Sequence, residues 1–258
     1  MKIICEHGEL GHPYAATLQY CGHDVIFWMT SKSLIDLYDE TKPDLILYEP
    51  KSQVLIQLLL QQSVLKCKTR QFPIYYTSPA NPAQLIGKEE EKYKCDIVLL
   101  DHTLPPQAAE IAEKLFEGGF KVKLFAGNLL NSPFQLGALT SYKEYGAAIA
   151  SSKIVVDVTG RWALTAWMNG KICLEESEKD LDSLDGTVYN TIEDVIHITK
   201  FLLDNPKKYA SLVKQNKEKV ASNTYFQSVG QIFESLELIE EKNRVLKVFD
   251  EKIRNLLR

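Results

Sequence analysis

Short apolar runs alternate, as far as Asn190, with segments in which apolar residues recur every three or four positions. Such runs predict buried β-strands, and the wider spacing predicts amphipathic α-helices. The predicted strands are KIIC, DVIFW, DLILY, FPIYYTS, CDIVLLD, KVKLFAG, KIVVDVT, KICLEE and TVYN. Because helical segments separate most of these strands, the pattern predicts βα units with mostly parallel sheets, which is an α/β fold.

After Asn190 the strand-like runs stop, and the pattern is helical to the end of the chain. Thr191 with Asp194 predicts a capped helix start, and Asn205-Pro206 predicts a break between two helices. An apolar stripe is predicted along one last helix by Phe226, Val229, Phe233, Leu236, Ile239, Leu246, Phe249, Ile253 and Leu256. The stripe either packs on its own domain or joins two copies into a homo-oligomer.

A chain of 258 residues is long enough for two domains. The charged stretch from Lys88 to Lys94 follows two prolines and precedes a new strand-like run, which indicates a boundary. We therefore expect two Rossmann-like domains that face each other across a cleft. The N-terminal domain is predicted at 1–93 and the C-terminal domain at 94–258, with closing helices from about residue 191.

The composition excludes several classes of protein. A formal net charge of −4 argues against a nucleic-acid-binding coat, whose affinity depends on clustered basic residues. The five cysteines are scattered without a CxxC pair, which favours reduced, buried thiols. No apolar run reaches the ~20 residues of a membrane span, and no leader pattern precedes the first strand, so we expect a cytoplasmic protein.

The turn after the first strand is crowded with histidine and glycine, in the stretch CEHGELGHPY. Ligands bind at this edge of open α/β sheets, where helix N-termini present unpaired N–H groups. Gly11 would let the backbone come close to a ligand. His12, next to it, is the first candidate for a general base, since an imidazole titrates near pH 7. His7 is the second candidate, with Glu6 and Glu9 as partners that would orient an imidazole. The alternative is a loop histidine without a role.

Two further strand-end turns contain candidate ligand contacts. Asp101 and His102 either cap the following helix or contact a ligand. Gly127 and Asn128 either form a simple turn or let a phosphate approach the backbone closely. The DLD at Asp180–Asp182 follows a polar run instead of a strand, so no metal site is expected. The sequence also lacks HExxH, Walker, GxGxxG and GxSxG motifs, which removes the usual signals for zinc proteolysis, P-loop hydrolysis, NAD binding and serine hydrolysis.

The blocks SYKEYGAAIASSKIVVDV, WALTAWMNGKI, YNTIEDVIHITKFLLDNP and TY follow one another between Ser141 and Leu236. Their order resembles the carboxyl-terminal domain of glycosyltransferases of the GT-B fold, in particular the group-1-like and spore-maturation-type branch. In the amino-terminal half, GELGHPYAATLQYCGHDV is similar to the glycine-rich first loop and second strand of the same fold.

The resemblance implies transfer of a sugar from a nucleotide-sugar donor to an unknown acceptor, without a metal or a further cofactor. The donor contacts that it implies are Gly127, Asn128, Thr159, Gly160, Arg161 and Thr165. One departure concerns the glutamate that holds the ribose in these enzymes, because Thr165 stands in its place, five residues before Gly170. A hydroxyl cannot supply a charged acceptor. Trp162 likewise occupies the slot of a basic residue, with Arg161 one place earlier.

Two alternatives to a glycosyltransferase therefore stay open. The first is a non-catalytic binding or assembly protein that kept the GT-B-like scaffold and lost the ribose-binding carboxylate. The second is a doubly wound binding domain of the response-regulator type, which would have no cleft.

Overall fold

The structure is a computed structural model, and it describes residues 1–8, 11–29, 32–73, 81, 85–100, 106–127, 132–160, 162–176 and 187–254. The chain divides into two compact units. Unit 1 comprises Met1–Ala83 and Asn223–Asn255, and unit 2 comprises Gln84–Ser222. Each unit has a parallel sheet with helices between its strands, which confirms the predicted α/β class.

Unit 1 contains a four-stranded parallel sheet in the order β2-β1-β3-β4. Its strands are β1 (Lys2–Glu6), β2 (Asp24–Trp28), β3 (Leu45–Tyr48) and β4 (Lys68–Gln71). Its first helices are α1 (Gly11–Tyr20), α2 (Leu34–Thr41) and α3 (Gln53–Gln61), the last preceded by a 3₁₀ turn at Pro50–Ser52. The central strands β1 and β3 are buried on both faces, which explains their continuous apolar runs.

The fourth strand of unit 1 differs from the prediction. The apolar run FPIYYTS was expected to form it, but β4 has the polar sequence KTRQ, and residues 74–80 lie outside the described part. In the sheet of described residues β4 pairs with β3 and forms an edge. An edge strand buries little surface, and alternate residues of β4 are exposed, so its sequence carries no apolar signal.

Unit 2 contains a five-stranded parallel sheet in the order β6-β5-β7-β8-β9. Its strands are β5 (Ile97–Leu100), β6 (Val122–Phe125), β7 (Ile154–Asp157), β8 (Ile172–Glu176) and β9 (Val188–Tyr189). Its helices are α4 (Pro106–Glu117), α5 (Tyr142–Ala150), α6 (Ala163–Met168), α7 (Ile192–Asp204) and α8 (Pro206–Ala221). All five strands lie within apolar runs that predicted them, because the sheet interior selects the same residues as the pattern does.

The predicted start and break of the helices after Asn190 are present. The Thr191 hydroxyl accepts a hydrogen bond from the Asp194 N–H at 3.1 Å, and the Asp194 carboxylate accepts one from the Thr191 N–H at 2.9 Å. This reciprocal pair is a capping box at the start of α7. Pro206 opens α8, where its missing N–H costs no hydrogen bond.

The last helices return to unit 1. They are α9 (Tyr225–Ser235), α10 (Ile239–Val248) and a π-helical turn (Phe249–Ile253). Tyr225 packs edge-on against Tyr14 of α1 with ring centroids 4.9 Å apart, and Phe226 is fully buried. The single last helix that the apolar stripe predicted is instead divided, because Glu237 adopts a left-handed φ of 59° between α9 and α10.

The two units therefore differ from the predicted domains 1–93 and 94–258. Residues after Ala83 belong to unit 2 because their backbone is bonded there: Gly87 N–H donates to Asn169 Oδ1, and Glu90 N–H donates to Ser151 Oγ, each at 2.8 Å. Asn223–Asn255 belongs to unit 1, since its aromatic residues are buried against α1. These contacts join distant parts of the chain, so a charged stretch could not indicate them.

The helices of the described residues were compared with the requirements of a membrane crossing. None of them combines the necessary length with a sufficiently apolar composition.

Candidate functional site

The carboxyl end of β1 brings His7 and His12 together. The two Nε2 atoms lie 2.9 Å apart, and the ring centroids lie 4.5 Å apart in an edge-to-face arrangement. His7 is exposed at the strand end and His12 is half-buried in the first turn of α1. The ring of Phe27 lies 5.8 Å from His7 and 5.1 Å from His12, centroid to centroid. The two histidines that the sequence singled out are thus direct partners.

Two glycines let the backbone close tightly around this pair. Gly11 starts α1 so close to β1 that an added Cβ would lie 1.9 Å from the Glu6 carbonyl oxygen. At Gly8 an added Cβ would lie 1.9 Å from Glu49 Oε1. The approach at Gly11 requires glycine, since strand backbone leaves no room for a side chain, whereas at Gly8 the neighbour is the end of a side chain that can shift. The predicted role of Gly11 in close backbone approach is therefore met by the protein's own strand; contact with a ligand stays a prediction.

The environment of His12 favours its neutral form. Burial lowers the pKa of His12 below its ordinary value, and the neighbouring His7 lowers this pKa further. Desolvation and a nearby like charge both oppose protonation of an imidazole. At neutral pH His12 therefore carries a lone pair on one ring nitrogen, as a general base requires.

Glu6 does not orient either imidazole, although the sequence proposed it as a partner. Its fully buried carboxylate accepts hydrogen bonds from the Glu49 N–H and the Ser52 hydroxyl, each at 2.8 Å. Lys51 Nζ lies 3.7 Å from the same carboxylate and 2.9 Å from Glu49 Oε2. Glu6 thus anchors the loop after β3 to the end of β1. Glu9, the other proposed partner, lies outside the described residues.

In unit 2 the carboxyl end of β7 contains a different arrangement, centred on Asp157. The Asp157 carboxylate is buried and accepts four hydrogen bonds from the turn that follows it. The donors are the Thr159 N–H, the Thr159 hydroxyl, the Gly160 N–H and the Trp162 N–H. These groups of Thr159 and Gly160 are therefore engaged within the turn, and Gly160 adopts a positive φ of 71° to complete it.

Trp162 fastens the same turn to its surroundings. Its indole N–H donates to the Leu100 carbonyl at 3.1 Å, and its ring stacks on Tyr145 at a centroid distance of 5.0 Å. The tryptophan that replaces the basic residue of the resembling enzymes therefore has a packing role at this position. It joins the ends of β5 and β7.

Thr165 lies in α6 and is 5% exposed, so little of its side chain reaches solvent. One turn later, the Asn169 amide donates to the carbonyls of Thr165 and Leu85 and accepts from the Gly87 N–H. This part of α6 is bonded to the chain that enters unit 2. A ribose contact by Thr165 remains a prediction.

Of the other predicted donor contacts, Gly127 lies within the described residues. Gly127 is exposed after β6, at the same edge of the sheet as the end of β7. Four predicted residues lie outside the described part of the chain: Asp101, His102, Asn128 and Arg161. The Asp180–Asp182 stretch also lies outside it. Among the described residues no group of three His, Cys, Asp or Glu side chains is arranged to hold a metal ion.

Sequence reasoning missed Asp157 and underrated Glu6. Both are carboxylates at the last position of a buried strand, followed within a few residues by glycine. A buried carboxylate requires hydrogen-bond donors, and a following turn of small residues can supply them. This combination was a usable signal for Asp157. The partners of Glu6 come from another loop, and the sequence contains no local sign of them.

The chain was compared with known proteins by sequence and by structure. No protein-family model matches the sequence, and no curated protein matches it. The structure is similar to that of a Listeria monocytogenes protein assigned as a UDP-N-acetylglucosamine 2-epimerase, with a TM-score of 0.56 and 12% identity over 92% of this chain and 96% of that one. Sequence identity at this level carries information about the fold and not about individual site residues.

A second similar structure is the UDP-GlcNAc 2-epimerase of Neisseria meningitidis bound to UDP-GlcNAc, with a TM-score of 0.53 and 10% identity over 83% of this chain and 94% of that one. The calicheamicin glycosyltransferase CalG4 aligns with a TM-score of 0.49 and 11% identity over 97% of this chain and 98% of that one, which carries no argument by itself. With its two parallel sheets, the chain has the two-domain α/β fold of the GT-B class.

Proposed function

We propose that this protein binds a nucleotide-activated sugar and transfers the sugar to an acceptor hydroxyl. The observation that carries the proposal is the imidazole pair of His7 and His12 at the carboxyl end of β1, in a fold where that edge faces ligands. The fold supports a nucleotide sugar as the ligand, because the similar Neisseria structure contains UDP-GlcNAc. UDP-GlcNAc is accordingly the first ligand to test.

In this proposal His12 removes the proton of the acceptor hydroxyl. Its neutral state at pH 7 and its place beside the strand end support this role. Removal of that proton increases the electron density on the attacking oxygen while the bond from the sugar to the diphosphate breaks. Loss of such a base costs on the order of 10²–10⁴ in rate.

The donor is proposed to bind unit 2. Gly127, Arg161 and Asn128 are the proposed diphosphate contacts, since Asp157 already engages N–H groups of Thr159 and Gly160. Thr159 and Gly160 would define the backbone path of the turn beside the donor, since Gly160 adopts a positive φ there. Thr165 would contact the ribose through a neutral hydroxyl, and the affinity for the nucleotide is expected to be correspondingly modest.

A second candidate function is binding without transfer, and two observations favour it. The turn after β7 uses its donors on Asp157, and Thr165 is almost fully buried. A binding or assembly protein of this fold, without a ribose-binding carboxylate, would not transfer a sugar. Turnover of the bound sugar separates the two candidates.

Calorimetric titration with UDP-GlcNAc, UDP and other nucleotide sugars tests the proposal, together with thermal unfolding. A ligand at 100 times its Kd is expected to add ~2.7 kcal/mol to the free energy of unfolding. Arg161→Gln is expected to weaken binding at least tenfold. Lys200→Gln, at an exposed site of α7, is the matched control and should leave the affinity unchanged. Binding should also withstand EDTA.

The outcomes are distinct. If neither nucleotides nor nucleotide sugars bind the wild-type chain, the proposed function is wrong. Binding followed by hydrolysis or transfer of the sugar supports the transferase, and binding with an intact sugar after long incubation with candidate acceptors favours the second candidate. Loss of binding on chelation would contradict a metal-independent site.

A further inference from the structure

His7 and His12 meet through the same ring atom, and this constrains their protons. With 2.9 Å between the two Nε2 atoms, one nitrogen must donate its hydrogen and the other must accept it. Two neutral rings that both carried the hydrogen at Nε2 would repel each other, and so would two rings that both lacked it. The neutral pair therefore holds a single proton between its rings.

The shared proton fixes the other end of each imidazole. A neutral imidazole carries one hydrogen, so the ring that donates from Nε2 has a lone pair at Nδ1. The ring that accepts at Nε2 carries its hydrogen at Nδ1. The two Nδ1 atoms are consequently one acceptor and one donor, and moving the shared proton across the Nε2 contact exchanges their roles.

We propose that His7 and His12 form a proton relay, in which His12 takes the acceptor's proton and His7 passes a proton to solvent. This inference rests on the proposed function and names a role for His7 in it. The O–H bond of the acceptor breaks and an N–H bond forms at His12 Nδ1. The proton on His12 Nε2 moves to His7 Nε2, and the proton on His7 Nδ1 leaves to water. The charge of the pair is unchanged, and exchange with water restores the original tautomers after the product leaves.

The direction of the relay follows from exposure. His12 is half-buried, whereas His7 is exposed at the strand end. A proton taken up at the less hydrated ring therefore leaves from the more hydrated one. Phe27 packs against both rings, and its apolar surface disfavours an imidazolium that would store the proton instead of passing it on.

The rings are held by the fold and by each other. The backbone N–H of His7 donates to the Trp28 carbonyl at 2.8 Å, and the backbone N–H of His12 donates to the Gly8 carbonyl at 3.3 Å. The charged groups of the neighbouring loop are committed elsewhere, since the Glu6 carboxylate binds that loop's own donors and Lys51 pairs with Glu49. Among the described residues no carboxylate pairs with either imidazole, and the hydrogen-bond partner of each ring is the other ring.

Nuclear magnetic resonance of the full chain labelled with ¹⁵N-histidine tests the shared proton without any activity. Two-bond ¹H–¹⁵N spectra between pH 5 and 8 are compared for the wild type, His7→Gln and the control His197→Gln, which removes an exposed histidine of α7. In the wild type at pH 8 the two Nε2 shifts should be complementary, because one shared proton makes the protonated fractions of the two Nε2 atoms add up to one. In His7→Gln the glutamine still occupies the site, and the titration of His12 should move to higher pH.

The kinetic test uses the same variants once a donor and an acceptor are known. Because glutamine can hold a hydrogen bond to His12 but cannot relay a proton, His7→Gln should lower kcat about 10–100-fold and leave the donor KM unchanged. Wild-type Nε2 atoms that are both protonated or both unprotonated at pH 8, or a His7→Gln enzyme with unchanged kcat, would overturn the relay. A chain that binds no nucleotide sugar would overturn the proposed function instead, and the spectra would still decide whether the proton is shared.

Discussion

The central strands β1 and β7 both end in a buried carboxylate, and the two carboxylates bind different parts of the chain. Asp157 accepts four hydrogen bonds from the turn that directly follows it. Glu6 instead accepts from Glu49 and Ser52, on the loop after β3. Asp157 therefore closes its own turn, and Glu6 ties two loops of unit 1 together.

The difference decides which groups remain available for chemistry. In unit 2 the N–H groups of Thr159 and Gly160 are engaged by Asp157, so these donors serve the turn itself. In unit 1 the turn after β1 makes no bond to the Glu6 carboxylate within the described residues, and His7 and His12 face each other there. Because the Glu6 carboxylate bonds to another loop, the turn after β1 can present His7 and His12 to each other.

The largest expected effect is on activity, from His12→Ala. Loss of the proposed general base should lower turnover 10²–10⁴-fold, which corresponds to ~3–5 kcal/mol of transition-state stabilisation. The donor Kd and the free energy of unfolding should change little, because a half-buried side chain in the first turn of α1 contributes little packing. Steady-state kinetics and calorimetry measure the two quantities. His197→Ala, at an exposed site of α7, is the control, and turnover within a few-fold of wild type would remove His12 from the mechanism.

Asp157→Ala should produce the largest loss of stability, about 3–4 kcal/mol. The change leaves four donors of one turn without their acceptor, and unmet donors cost ~1–3 kcal/mol each before water compensates. Asp157→Asn keeps one oxygen and should cost about half as much. Urea unfolding measures both variants. Equal losses for the two would show that the charge, and not the number of acceptors, stabilises the turn.

Stability should fall between pH 6.5 and 4 because of His23, in the loop between α1 and β2 of unit 1. Burial, with the amino terminus and Arg244, lowers the pKa of His23 from 6.5 to about 4. Glu241 lies 3.7 Å from the ring, too far for a hydrogen bond that would offset the burial. The unfolded chain therefore binds a proton at His23 more tightly than the folded chain does. Up to ~3 kcal/mol of the free energy of unfolding, fully present above pH 6.5, is lost as the pH falls to 4.

The His23 effect is measured as the pH dependence of urea unfolding. His23→Gln should flatten the curve between pH 4 and 6.5, whatever its effect on stability at pH 7. A wild-type curve that is unchanged by this substitution would assign the acid sensitivity to other groups.

The smallest expected effect concerns the ion pair beside the imidazoles. Lys51 is largely exposed and pairs with Glu49 at 2.9 Å, so Lys51→Met should cost less than ~1 kcal/mol. The loss should shrink further in 0.5 M salt, since exposed pairs are screened. A loss above 2 kcal/mol would mean that Lys51 is essential for keeping the Glu6 and Glu49 carboxylates together, and the comparison with Asp157 would have to include it.

The sequence indicated the main residues of the candidate site one by one, but not which of them contact each other. A histidine-rich and glycine-rich turn at a strand end indicated His7 and His12. Their contact through Nε2 depends on the exact path between β1 and α1, which Gly11 makes possible by its close approach to the Glu6 carbonyl. The expected pairing with Glu6 failed, because donors from a distant loop compete for a buried carboxylate.

Features with a local cause could be predicted from the order of the amino acids. Apolar runs marked every strand of unit 2, and Thr191, Asp194 and Pro206 marked the ends of helices, since a cap or a proline acts within four residues. Three features depend on tertiary contacts: polar residues form β4, the last helices pack on α1, and His7 pairs with His12. These features depend on the surface that a distant segment offers, and no periodicity along the chain encodes that surface.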